Sequence, residues 1–108
     1  MNWDLRYLPE AEDDLDQLDN GVRKIVLKAI GKVKKNPLPK NEGGYGEPLG
    51  RKQAIDLSGY LKIKIRNAGI RVIYRLERIE NQMVIVVVGA RRDNIVYNTA
   101  NQRLNADK

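Results

Sequence analysis

Residues 2–8 (NWDLRYL) alternate: Trp3, Leu5 and Tyr7 are apolar, while Asn2, Asp4 and Arg6 are polar. A period of two predicts a short strand. Pro9 ends it and suits the first turn of a helix. Glu10, Glu12, Asp13 and Asp14 lie well against that helix's positive end. Ala11, Leu15 and Leu18 supply its inward stripe, and Asn20-Gly21 break the pattern, with Asn20 expected to cap a second helix. The second helix has the clearest signature. Val22, Ile25, Val26, Ala29, Ile30 and Val33 form one apolar face at helical spacing, and Asn36-Pro37 ends it because a residue before proline avoids helical angles.

Residues 36–53 hold three prolines, four glycines and few aliphatics, which predicts a long loop. Beyond it the pattern turns to strands. Residues 54–57 are a short candidate, 60–66 (YLKIKIR) a second and 70–76 (IRVIYRL) a third, with Asn67-Ala68-Gly69 as the turn between the last two. After a polar turn at 77–82, residues 83–88 (MVIVVV) are apolar on both sides, as a central strand would be. Ile95-Val96-Tyr97 follows a loop from Gly89 to Asn94, and residues 99–108 are polar, a short helix or loose tail. The expected architecture is α+β: an N-terminal helix hairpin on one face of a mostly antiparallel sheet of about four strands. Residues 1–98 would form a single domain and 99–108 its C-terminal extension.

Composition narrows the chemistry. The chain has 108 residues, which bounds it to one domain. It contains no cysteine, which excludes disulfides, thiol catalysis and cysteine-ligated metals, and no histidine, the commonest acid–base residue and metal ligand. No apolar run approaches a membrane span, and the acidic N-terminus is not expected to be a signal peptide. Residues 1–20 carry seven acids against one base, and residues 21–75 carry fourteen bases against three acids. A middle this basic points to a polyanionic partner, nucleic acid or an acidic protein segment. A solvated basic surface is the plain alternative.

Strand alternation sharpens the point. Leu61, Ile63 and Ile65 fall on one face with Val72, Tyr74 and Leu76; Lys62, Lys64 and Arg66 fall on the other with Arg71, Ile73 and Arg75. No acid occurs from Gly59 to Leu76. Like charges on adjacent strands repel, so a sheet that needed only solubility would interleave acids there. The pattern suggests a phosphate-binding floor on an open sheet face. Arg91 and Arg92 follow the central strand, and Tyr97 offers an aromatic platform for a splayed base, with a half-buried core tyrosine as the alternative.

The chain resembles the RelE/ParE superfamily of small toxins from bacterial toxin–antitoxin pairs. The resemblance covers residues 3–98 and is carried by the opening strand, the acidic-then-basic helix hairpin, the loop from Asn36-Pro37 to Pro48-Leu49-Gly50, the segment from Tyr60 to Tyr74 (YLKIKIRNAGIRVIY), and the ending from Val88 to Tyr97 (VGARRDNIVY). Departures are Ile70, where an aromatic is common, a longer loop before Ala54, and the residues beyond Tyr97.

The resemblance implies a cytoplasmic toxin of the RelE-like branch. Such a toxin is a metal-independent endoribonuclease that cleaves messenger RNA in the ribosomal A site by 2′-OH attack and so inhibits translation. Catalytic roles would fall to Lys62, Lys64, Arg71, Arg91 and Tyr97, and contacts to messenger RNA and 16S ribosomal RNA to Arg66, Arg75, Arg92, Lys28 and Lys32. A lysine among other cations gives up its proton more readily, so Lys62 or Lys64 would be the base. Arg71 and Arg91 would stabilise the phosphorane. No cofactor and no membrane is implied. A cognate antitoxin is the second expected partner, either covering the floor or displacing the C-terminal segment. The alternatives are a ParE-like toxin that inhibits DNA gyrase without nuclease activity, and a non-catalytic basic nucleic-acid-binding module.

Overall fold

The first strand, β1 (Asp4–Tyr7), leads directly into helix α1 (Pro9–Asp16). The structure, a computed structural model, describes residues 2–52, 55–90 and 95–106. Proline stands at the first turn of α1, where its missing N–H costs nothing, and Glu10 and Glu12 face the positive helix end. Helix α2 (Asn20–Lys34) is capped one residue earlier than its sequence suggests. Asp19 accepts from the Val22 N–H at 2.9 Å, and Asn20 is already helical. Arg23 of α2 then closes the end of α1. Its guanidinium donates to the carbonyls of Leu15 (3.0 Å), Asp16 (3.1 Å) and Leu18 (3.0 Å). A helix leaves such carbonyls unpaired, so the two helices are joined by a basic side chain on a helix terminus.

The sheet has five strands, not about four, in the order β1-β5-β4-β3-β2. Strand β1 runs parallel to β5 (Gln82–Ala90); β2 (Glu47–Lys52), β3 (Ile55–Ile65), β4 (Ile70–Glu77) and β5 pair antiparallel. The additional strand, β2, lies within the segment read as loop. Its sequence, EPLGRK, has a proline and a glycine and shifts register between Pro48 and Gly50. Only a sheet edge tolerates this, because there one side of the strand needs no partner. The two short candidates at 54–57 and 60–66 are one strand, β3, with Ala54 outside the described residues. The β3–β4 turn forms at Arg66–Ala68, and Gly69 takes φ 65°, as the turn reading expected.

Strand β5 is central, and Met83 to Val88 are all buried. Leu61, Ile63, Ile65, Val72 and Tyr74 are also buried, as the alternation predicted. The Tyr74 hydroxyl donates to the Pro37 carbonyl at 2.8 Å, and burial pushes the phenol above its ordinary value. Gly46 lets the preceding loop lie on this pair; a Cβ there would stand 2.3 Å from the Tyr74 hydroxyl and 2.4 Å from Leu61 Cδ2.

The second sheet face is not open. Helix α3 (Ile95–Ala106) begins four residues before the expected extension and buries Val96, Tyr97 and Ala100. It lies on the Arg71 side of the sheet. Arg71 pairs with Gly89, and a Cβ on Gly89 would lie 2.7 Å from Val96 Cγ1. Ile73, expected to face outward, is fully buried there. A clasp holds the helix. Arg103 donates to both Asp14 oxygens (2.7 and 3.1 Å) and to the Val86 carbonyl (2.8 Å), while Asp14 accepts from the Val88 N–H at 3.0 Å. Strand β1 pairs with β5 only as far as Ile85. The clasp therefore satisfies the backbone groups of β5 where its neighbour stops.

Candidate nucleic-acid interface

Alternation along β3 puts Lys62 and Lys64 on the α3 side of the sheet. Register with β4 brings Arg71 opposite Lys64, and Arg75 opposite Tyr60. The side chains of Lys62, Lys64 and Arg75 are 11%, 27% and 23% exposed, so this is a shallow recess and no flat surface. Arg75 also meets Glu77 at 3.9 Å.

Arg71 and Tyr97 are joined. The guanidinium donates to the Tyr97 hydroxyl and stands 5.3 Å from the centre of its ring. The tyrosine is 2% exposed. It is therefore a buried support for Arg71 in this structure, where the sequence suggested a platform at the rim. The reason is α3: Tyr97 lies in its first turn, so folding of the helix onto the sheet carries the ring inward. Arg91 and Arg92 lie outside the described residues.

The expected contacts on α2 do converge with those on β3. Lys28, Lys32 and Lys35 form one wall of a groove of about 920 Å³, and Lys64 and Arg66 form the other. Ile25, Ala29 and Ile65 line its apolar part. The groove thus runs from Lys64 of the sheet onto the basic helix, with no acid among its lining residues.

Glu47 is the residue that sequence reasoning missed. It opens β2 and pairs in register with Lys62. Its Oε2 lies 3.7 Å from the Lys64 Nζ and 4.0 Å from the Lys62 Nζ, and its Oε1 is 3.4 Å from the Lys40 Nζ. Partial burial alone would raise this carboxyl. The hydrogen bond from Lys40 and the charges of Lys64, Lys40 and Lys62 outweigh burial and hold it below its ordinary value. The acid-free stretch along the chain therefore has an acid in space. Only the edge pairing of β2 reveals it, and that pairing has no hydrophobic signal.

Chemically, the recess offers lysines and an arginine at fixed spacing for an anion, next to a groove walled by cations. No helix among the described residues is long and apolar enough to cross a membrane.

Comparison with known proteins adds the family. Residues 5–95 match the family described as ParE toxin of type II toxin-antitoxin system, parDE. A putative RelE-like toxin protein of Escherichia coli is 27% identical over 106 residues, covering 96% of this chain and 99% of that protein. Among solved structures, a free mutant form of the Escherichia coli toxin RelE aligns with a TM-score of 0.74 at 21% identity, over 96% of this chain and 99% of the other. The toxin–antitoxin complex RelBE2 from Mycobacterium tuberculosis aligns at 0.65 and 24% identity, over 84% and 100%. The fold is therefore that of RelE, and the match across residues 5–95 establishes that the chain belongs to the ParE toxin family of type II toxin–antitoxin systems, within the RelE/ParE superfamily.

Proposed function

We propose that this toxin is a metal-independent endoribonuclease that cuts messenger RNA in the ribosomal A site. The observation that carries the reading is the convergence of Lys62, Lys64 and Arg71 on one sheet face, with Lys64 also lining the groove walled by Lys28, Lys32 and Arg66. In the reaction the 2′-OH of one nucleotide attacks the adjacent phosphorus, the bond to the 5′-oxygen breaks, that oxygen takes a proton from water or a protonated lysine of the recess, and a 2′,3′-cyclic phosphate and a 5′-hydroxyl result. One of Lys62 and Lys64 accepts the 2′-OH proton, and the other cations face the doubly charged phosphorane. Arg71 stabilises that charge, with Tyr97 supporting it from below, and Arg91 shares that role. Arg75 and Arg92 extend the RNA and 16S ribosomal RNA contacts. A chain without histidine lacks an optimal base, and the ribosome compensates by holding the RNA in line for attack.

The site of action is the cytoplasm, and the second partner is a cognate antitoxin. Structures of similar fold include the RelBE2 and the intact Escherichia coli RelBE toxin–antitoxin complexes, which supports that pairing.

Primer extension on one defined message tests the reading, with and without translating ribosomes. Cuts within codons only under translation are expected. An uncut message in both tubes would overturn it. The family match itself favours a second reading, in which the toxin inhibits DNA gyrase by contact and cuts no RNA. Loss of gyrase supercoiling with intact message would establish that one.

A further inference from the structure

We infer that Glu47 is a positioning residue that holds Lys62 and Lys64 together in the free toxin and occupies the place of a phosphate oxygen until RNA displaces it. The inference rests on the proposed role of the two lysines as RNA ligands. A single oxygen, Oε2, stands 3.7 Å from one ammonium and 4.0 Å from the other. A non-bridging phosphate oxygen shared by the two lysines needs that same position. The carboxylate is anchored on its other side by Lys40, from a loop tied down by backbone hydrogen bonds from Tyr45 to Asn36, Gly46 to Leu38 and Lys40 to Gly46. Its backbone is fixed by pairing with Lys62. Glu47 is therefore presented to the lysines by a built scaffold and does not drift there as a surface counter-ion.

The arrangement has two effects. It keeps two like charges, two residues apart on one strand, from splaying into solvent before the substrate arrives. It also sets a threshold, because an incoming phosphate must replace a carboxylate already in contact. A polyphosphate chain with further contacts along the Lys28–Lys32 groove can do so, whereas an isolated anion gains only the local exchange.

The test uses the full chain and two probes: a single-stranded RNA with 2′-O-methyl sugars, which cannot be cut, and inorganic pyrophosphate. Affinity is read by titration, and the side-chain amine resonances of Lys62 and Lys64 report where the probe sits. Glu47→Gln is expected to tighten RNA binding about fivefold. Glu47→Asp should restore affinity toward wild type. Glu10→Gln, which changes net charge equally at an exposed site on α1, should stay within twofold. If Glu47→Gln matches Glu10→Gln while RNA perturbs both lysines, the positioning role is overturned and the RNA site stands. If only pyrophosphate perturbs the lysines, and more tightly in Glu47→Gln, the role of Glu47 stands and the RNA reading falls. If Glu47→Gln binds RNA as tightly as expected of the variant but cleaves none, Glu47 is the proton acceptor and the holding role is overturned.

Discussion

Tyr74 is fully buried, and its hydroxyl meets the Pro37 carbonyl at the foot of the loop that carries Lys40 and Glu47. Tyr74→Phe removes the donor and strands a buried carbonyl, which costs about 1–3 kcal/mol. Urea denaturation should read that loss with an unchanged slope. Glu47 sets a different dependence. Burial raises its carboxyl, but the Lys40 hydrogen bond and the surrounding lysine charges prevail and lower it from an ordinary 4.5. A carboxylate lowered on folding stabilises the protein above its unfolded value, and the benefit is lost as pH falls through the folded value. The stability gap between wild type and Glu47→Gln, at most about 1 kcal/mol at pH 7, should therefore close on acidification below about 4.5. Thermal melts of the two proteins at pH 7 and pH 3 check this.

At the scale of elements, what was legible followed from periodicity. The centre of the apolar face of α2 (Val26, Ile30 and Val33), the Lys62–Lys64 alternation and the double-sided burial of β5 reach the structure as read, whereas Ile25 at the margin of that face is exposed. Elements without a hydrophobic signature were not legible. Strand β2 is an edge strand whose pairing is made by backbone, so its proline, glycines and charges read as loop. Helix α3 buries only Val96, Tyr97 and Ala100 among its described side chains, too few to mark its start, and its docking turns Tyr97 inward beneath Arg71. Glu47 was invisible for the same reason as β2. The clasp of Asp14 and Arg103 joins residues 89 positions apart, beyond any local pattern. Arg103→Ala leaves the Val86 carbonyl without its side-chain donor and the Asp14 carboxylate with the Val88 N–H but no counter-charge, which costs about 2–3 kcal/mol. Amide exchange should show α3 losing protection before the β3–β4 pair does.

Across the molecule, charge is sorted by element. Apart from Asp4 on β1, the acids of the first 20 residues gather on α1 and in the turn after it, while α2, β3 and β4 hold the basic recess and groove. Replacing both Lys62 and Lys64 by alanine should lower ribosome-dependent cleavage at least about 100-fold. The folded state should survive, since both side chains are partly exposed; a circular dichroism melt alongside primer extension checks the pair. Affinity for RNA should also fall less steeply with salt in that variant, because fewer counterions are released.

The clasp has a consequence beyond holding a helix. Past Ile85, β5 keeps β4 on one side but has no strand on its β1 side, where its Val86 carbonyl and Val88 N–H are answered by two side chains in place of a backbone. Lifting α3 would take Arg103 from the Val86 carbonyl while Asp14 of α1 still holds the Val88 N–H, so that margin would gain one open acceptor for an extended segment of another polypeptide. The same motion would uncover the ring of Tyr97 and the valines beneath it. Arg103 thus links the seating of α3 to whether that carbonyl is offered to another chain.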